Sequence, residues 1–263
     1  MKEKDWFKLK KYPHIGFPLE NIDRCKWIEN YITNCENIAK HSFLPFLHKV
    51  SKKRRYRKRY DENGILKTYK VGDIAKNRFK DVKPRELYYA GHLDSLIFSY
   101  YTKLLNKPYE DKLEQFGLND VVTAYRRIPK DIENPSSSNK CNIDFANDVF
   151  KLIKNYPESK FAVVTFDIKS FFDNLDHSLL RKMLMEVLSL DRLPRDYFNI
   201  FKNITRFSYV DIQDIFEEYK DRIVCQKTNK KGEKLKETNK RVSRIKYLKN
   251  QGGKAFCEKN DFF

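Results

Sequence analysis

The sequence predicts an α+β protein, and three stretches carry that expectation. Phe161–Phe166, FAVVTF, is apolar apart from Thr165 and rich in β-branched residues, which suits a strand covered on both faces. From Ser178 to Leu190 apolar residues return at helical spacing, so strand passes closely into helix. Within Asn21–His41, Trp27, Ile28, Tyr31 and Ile32 keep helix spacing as well. Of the 263 residues 40% are apolar and 14% aromatic, which supports a substantial core in one large or two small domains and excludes a disordered chain.

The elements follow in order. After the first helix, Ser42-Phe43-Leu44-Pro45-Phe46-Leu47 breaks the pattern with an apolar turn. Gly64 separates a basic cluster from the strand-like run Ile65–Val71, which predicts a short β-hairpin. Helices are predicted over Asp94–Leu105 and Ile143–Ile153, ahead of the strand and helix around Asp167. Pro194 opens a helix through Phe201, and helix-compatible spacing resumes over Val210–Tyr219. Cys225–Asn250 is lysine-rich and sparse in apolar residues until Ile245 and Leu248, so it reads as an exposed hairpin or insertion turning at Gly232.

Fifty-four Lys and Arg against 36 Asp and Glu give a net charge of +18. A field of that sign favours a polyanionic partner, because basic side chains release condensed counterions when they neutralise phosphates. Ser51–Tyr60 interleaves Lys52, Lys53, Arg54, Arg55, Arg57, Lys58 and Arg59 with Tyr56 and Tyr60. The cations can follow a nucleic-acid backbone while the rings stack on bases; a solvated loop is the alternative. The amino terminus lacks the apolar stretch of a signal peptide and no run approaches a membrane span, so no membrane partner is expected. Five cysteines without close paired spacing fit a reduced, cytoplasmic protein without structural zinc. The five histidines form no helix-spaced metal pair, and His92 and His177 are expected to hydrogen-bond locally.

The run Asp167-Ile168-Lys169-Ser170-Phe171-Phe172-Asp173-Asn174-Leu175-Asp176-His177 follows the predicted strand. It resembles the first palm motif of reverse transcriptases, in the prokaryotic branch of group II intron, retron-like and defence-associated enzymes, with Leu175 for the usual isoleucine. Upstream, Lys83–Gly117 resembles the family's fingers motif, Arg-x-Leu on a strand, then a turn, an acid and a long helix; Arg85 is the matching arginine and Asp94 the matching acid. VVTAYRRIP from Val121, a polar loop through Pro135–Asn139, and the helix NIDFANDVFKLI resemble the Gly-Phe-Arg-Pro stretch and its following helix. Here Ala124-Tyr125-Arg126 replaces Gly-Phe-Arg, and Arg127-Ile128 displaces the proline. The three segments stand in family order and cover roughly half of the chain.

The resemblance implies a right-hand polymerase fold. It divides the chain into a helical and basic amino-terminal extension over 1–66, fingers over 67–160, and the first part of a palm over 161–263 with the basic insertion near 225–250. It also implies RNA-directed DNA synthesis by nucleotidyl transfer, with magnesium or manganese ions stabilising the attacking and leaving oxygens. Such hard ions take oxygen ligands, and the resemblance points to the catalytic carboxylate of Asp167 and the backbone carbonyl of Ile168. Phe172 takes the position that walls off the 2′ side of the incoming sugar, with a core aromatic as the alternative. Arg85 takes the position over the triphosphate, with a salt bridge to Glu86 or a cross-strand acid as the alternative. Arg126 is the arginine of the third segment, matched to nucleotide binding. Asp176, in competition with Ser178, is placed to cap the next helix.

Expected partners are an RNA template or noncoding RNA, deoxynucleoside triphosphates and a DNA product. By the His41–Phe46 turn and the Arg54–Tyr60 cluster, the group most like this chain is the defence-associated one, which acts against phage. The family's Pro-Gln-Gly motif and its Asp-Asp hairpin are both missing from this sequence, and Gln251-Gly252-Gly253 lacks the proline. The chain is therefore expected to be an amino-terminal portion, inactive by itself, needing a carboxyl-terminal half or a partner polymerase, and exposing apolar strand faces. The alternative is a non-catalytic RNA-binding or scaffold protein with a reverse-transcriptase-like palm.

Overall fold

In the computed structural model, which describes residues 5–131, 138–158, 160–168, 170–228 and 234–263, the chain opens with β1 (His14–Ile15). A helical hook follows, made of α1 (Asn21–Asp23), a π-helical turn (Arg24–Ile28), α2 (Glu29–Thr33) and α3 (Cys35–Ala39). The helix predicted over 21–41 is thus present in pieces. Asn34 makes the main break: its backbone is extended, and its Oδ1 accepts from the Glu36 amide at 2.9 Å, which caps α3.

Next come β2 (Phe46–Lys58), β3 (Tyr69–Val71), β4 (Ile74–Lys76) and β5 (Arg78–Tyr89). Strands β2 and β5 pair antiparallel from Leu47↔Tyr89 to Lys58↔Arg78. They form a two-stranded ribbon about 37 Å long at ~3.4 Å per residue. Beyond its end the chain turns at Asp61, whose Oδ1 accepts from the amides of Asn63 and Ile65 at 3.0 and 2.8 Å, while Gly64 supplies φ 77°. The basic cluster is therefore a strand paired with the Arg85 strand, and the pairing crosses the division expected at residue 66.

The remaining elements are α4 (His92–Gln115), α5 (Asn142–Lys154), a 3-10 turn (Phe172–Asn174), α6 (His177–Val187), α7 (Arg195–Thr205), β6 (Tyr209–Asp211) and α8 (Ile212–Tyr219). They end with β7 (Ile223–Thr228), β8 (Lys234–Lys240), a second 3-10 turn (Ile245–Tyr247), β9 (Gly253–Cys257) and α9 (Lys259–Phe262). Sheet orders are β5-β2-β6 and β1-β9-β7-β8, with β3-β4 as a separate small hairpin. The hairpin expected within 225–250 is β7–β8; its turn at Gly232, the loop residues Pro135–Ser137, and Lys169 lie outside the described residues.

Two cores hold these elements. One packs α8 on the four-stranded sheet and the base of β2, through Phe216, Phe256, Ile223 and Leu47. The other joins Trp6, the helical hook, α4 and α7 through Ile28, Ile32, Leu96, Ile97, Tyr101 and Ile200. Each fully buried aliphatic or aromatic side chain contributes on the order of 2 kcal/mol. Asp94 is buried near the start of α4, where Oδ1 meets His41 Nε2 at 2.9 Å and Oδ2 accepts from the Leu44 amide at 3.0 Å. Gly91 is needed beside it, because a Cβ there would sit 2.8 Å from Asp94 Oδ2.

One expectation is overturned. Residues 161–168 join no sheet, and their side chains are exposed, Val164 at 67% and Phe166 at 90%. No residue of α5 or α6 is buried either, and Ile143, Phe150 and Leu152 of α5 face solvent. An apolar run expresses a demand for cover, but the cover must come from a partner strand. Every described strand is paired elsewhere, so FAVVTF remains an uncovered apolar segment.

Candidate nucleic-acid interface

The register of the ribbon sorts its side chains onto two faces, since alternate residues of a strand point to opposite sides. One face carries Lys49, Lys53, Arg55 and Arg57 of β2 with Lys83 and Arg85 of β5. The other carries Lys52, Arg54, Tyr56 and Lys58 with Lys80 and Arg78. Lys53 stands directly opposite Lys83, and Lys58 opposite Arg78. Like charges in that position repel, and a polyanion on the ribbon would relieve them. Only two acids of β5 temper the field: Asp81 lies 3.9 Å from Arg57 Nε, and Glu86 is drawn to His48. Arg59, just past the strand, lies over the Phe79 ring at 5.4 Å.

At the base of the ribbon the sheet gains β6, which pairs parallel with β2 from Phe46↔Tyr209 to His48↔Asp211. This brings Tyr88, Tyr209 and Phe207 together, with Tyr88 5.6 Å from Tyr209 and 5.1 Å from Phe207 between ring centres. All three remain at least 40% exposed, on the same side as Lys52 and Arg54. Stacking platforms of this kind accept bases of any sequence while neighbouring cations follow the strand. Beside them His48 is held by Glu86 and by Asp211 at 2.9 Å, and these partners, Glu86 foremost, raise its pKa above the ordinary imidazole value. Tyr88 is shifted upward by burial and, to a lesser extent, by the charges of Tyr209, Glu86 and Asp173. The sequence reading missed the platform, because its residues come from segments more than a hundred positions apart.

The residues expected around a nucleotide share no hydrogen bond, ion pair or ring contact with one another among the described residues. Asp167 is exposed and takes no hydrogen bond or ion pair among the described residues. Ile168 is 66% exposed beside it. Their carboxylate and carbonyl are oxygen donors of the hardness magnesium and manganese take, but the set is too small for two ions. Among the described residues no group of three or more His, Cys, Asp or Glu side chains is arranged to hold a metal ion. Phe172 is 67% exposed, and its one ring contact among the described residues is edge-on with Phe171 at 5.3 Å, so the core-aromatic alternative does not hold. Arg85 is exposed without an ion-pair partner among the described residues, so the salt-bridge alternative does not hold either.

Arg126 is used differently from the expectation. Nε and one Nη donate to Glu110, with the shortest contact 2.6 Å, and the remaining donors go to Asn119 Oδ1 at 2.9 Å and the carbonyls of Asn119 and Val122. All five N–H groups are spent on pinning the loop after α4, which leaves none for a phosphate. The displaced glycine and proline around it were the sequence sign of this. Asp176 caps α6, its Oδ1 accepting from the amides of Ser178 and Leu179 and from the Ser178 hydroxyl, so the competing cap is itself a donor. His92 does not hydrogen-bond locally: it is buried, stacks on Tyr12 and has no partner at either ring nitrogen.

Compared with known proteins, this sequence matches no protein-family model and no curated protein. No helix among the described residues is long and apolar enough to cross a membrane.

Proposed function

We propose that the chain is the fingers and first palm portion of an RNA-directed DNA polymerase, acting in bacterial antiviral defence. The observation that carries this reading is the eleven-residue run Asp167–His177, with Asp176 capping the helix that follows. Asp167 and the Ile168 carbonyl would contribute to holding magnesium or manganese. The chemistry such a pair of ions supplies when bound is stabilisation of the attacking and leaving oxygens. Phe172 would exclude the 2′-hydroxyl of a ribonucleotide, and Arg85 would hold the triphosphate with its free guanidinium. The ribbon and its aromatic base would carry the RNA template or a noncoding RNA. The remaining catalytic acids are not in this sequence, so a carboxyl-terminal half or a partner polymerase would have to bring them.

The test joins this chain to the coding sequence downstream of it, or to a partner encoded beside it, and measures deoxynucleotide incorporation on an RNA template. Asp167→Ala is expected to reduce incorporation at least a hundredfold, and Phe172→Ala to admit ribonucleotides. Incorporation unchanged in Asp167→Ala removes this residue from the mechanism.

A second reading, a non-catalytic RNA-binding or scaffold protein, is favoured by two observations together, Asp167 on an uncovered segment and a fully formed basic ribbon. It predicts salt-dependent RNA binding with no requirement for divalent ions, and no incorporation with any partner.

A further inference from the structure

The facing stripes of α6 and α7 form a second cationic surface, made of different residues from the ribbon. Arg181 and Lys182 on α6 and Phe198, Phe201, Lys202 and Arg206 along α7 line a groove of about 620 Å³. It continues into a hollow of about 400 Å³ that shares Arg181 and Phe198 and adds Arg192 and Arg195. Helical spacing explains the stripes: Arg181, Lys182 and Met185 lie on one face of α6, and Arg195, Phe198, Lys202 and Arg206 on one face of α7. The opposite face of α7 is spent on the core, through Ile200 and through Asp196, which accepts from Tyr101 Oη at 2.5 Å.

None of these six cations has a carboxylate partner among the described residues, and no acid lines either hollow. Basic helix surfaces ordinarily intersperse acids, and an unrelieved set repels itself. Phe198 stays 43% exposed with the Arg181 guanidinium 5.3 Å over its ring. Burying Phe198 would have been the simpler use of an apolar side chain; here it stands in the floor of a charged groove. From Arg195 to Arg206 the helix rises about 16 Å, farther than the oxygens of a single phosphate reach. A ligand that engages both ends must carry several phosphates in a row and offer flat apolar faces between them.

We infer that the α6–α7 groove binds a single-stranded nucleic-acid segment of three or more nucleotides, its phosphates on the arginines and lysines and a base on Phe198. The site is independent of the polymerase reading and of the ribbon. A duplex does not suit it, because paired bases cannot turn a face to Phe198.

The experiment starts from the full chain with every Lys and Arg of β2 and β5 replaced by Gln, so that binding at the ribbon cannot imitate or mask binding at the groove. Fluorescence anisotropy with twelve-residue oligouridylate and oligodeoxythymidylate is expected to show binding of both strands, with a same-length duplex at least tenfold weaker. Adding Arg195→Gln and Arg206→Gln is expected to weaken strand binding at least tenfold and to lower the salt slope by about 1.4, twice the single-strand value per contact. Phe198→Ala is expected to weaken strand binding about fivefold or more and to leave inorganic tripolyphosphate unaffected. In the unmodified protein, oligouridylate is expected to slow amide exchange over Phe198–Arg206. Binding that stays within twofold in the double arginine variant, equal binding of duplex, or an unchanged strand affinity in Phe198→Ala overturns the inference.

Discussion

His41 Nε2 meets Asp94 Oδ1 at 2.9 Å across 53 residues of sequence, and Tyr31 Oη meets the other nitrogen of the same ring at 2.9 Å. The buried carboxylate also accepts from the Leu44 amide, so one side chain fixes the helical hook, the turn before β2 and the start of α4. Replacing one oxygen by an amide group turns an acceptor toward donors. Asp94→Asn is expected to cost about 2–4 kcal/mol, read as a lower urea midpoint at unchanged slope.

His92 makes the fold sensitive to acid. Burial, and then the neighbouring His14 and Lys259, hold its pKa down to about 4 against an ordinary value of 6.5. The unfolded chain therefore takes up a proton before the folded one. Its contribution is complete above about pH 6.5 and is lost as pH falls toward about 4, on the order of 3 kcal/mol. His14, also shifted downward by burial, adds to the same limb. Phe at position 92 keeps the stacking on Tyr12 and loses the titration, so His92→Phe is expected to flatten stability between about pH 6.5 and pH 4.

Arg126→Lys keeps the charge and forfeits the fork of donors to Glu110, Asn119 and Val122. A loss of about 1–3 kcal/mol is expected, concentrated as faster amide exchange after α4. Nucleic-acid affinity should stay within twofold. A large loss of nucleotide affinity without destabilisation would restore the role first expected of this arginine.

Lys83→Glu sets stability against binding. Opposite Lys53, a glutamate replaces repulsion by attraction, a gain of about 0.5 kcal/mol for an exposed cross-strand pair. The same change removes two units of positive charge from the ribbon, so binding of an RNA oligomer should weaken while thermal stability rises.

Phe166→Asp separates a covered strand from an uncovered one. In a buried strand a carboxylate would cost several kcal/mol; at 90% exposure it is expected to change the unfolding free energy, read from urea titration, by less than about 0.5 kcal/mol. Binding of a hydrophobic dye should fall, since an exposed apolar face is what such dyes report.

Local chemistry was legible in the sequence. The Asp176 cap, α5, α6 and α7 follow from residues within a few positions of one another, and so does the Gly64 turn. The ribbon was not legible, because Lys and Arg favour strands weakly and only the register with β5 makes Ser51–Lys58 a strand. FAVVTF failed in the opposite sense: its local preference is strong, and no described strand pairs with it. The Tyr88–Tyr209 platform and the His48 clasp depend on β6 meeting β2, a pairing over 160 positions that no local pattern announces.

Asp211 serves two masters at the foot of the ribbon. One oxygen accepts from the Gln213 amide at 2.7 Å and caps α8; the other grips His48. Leu47, the neighbour of His48, is rooted in the core beneath. The ribbon is therefore a lever of about 37 Å with its fulcrum at residues 47–48. A load taken up at Lys58 or Arg78 arrives, through that fulcrum, as torque on the first turn of α8.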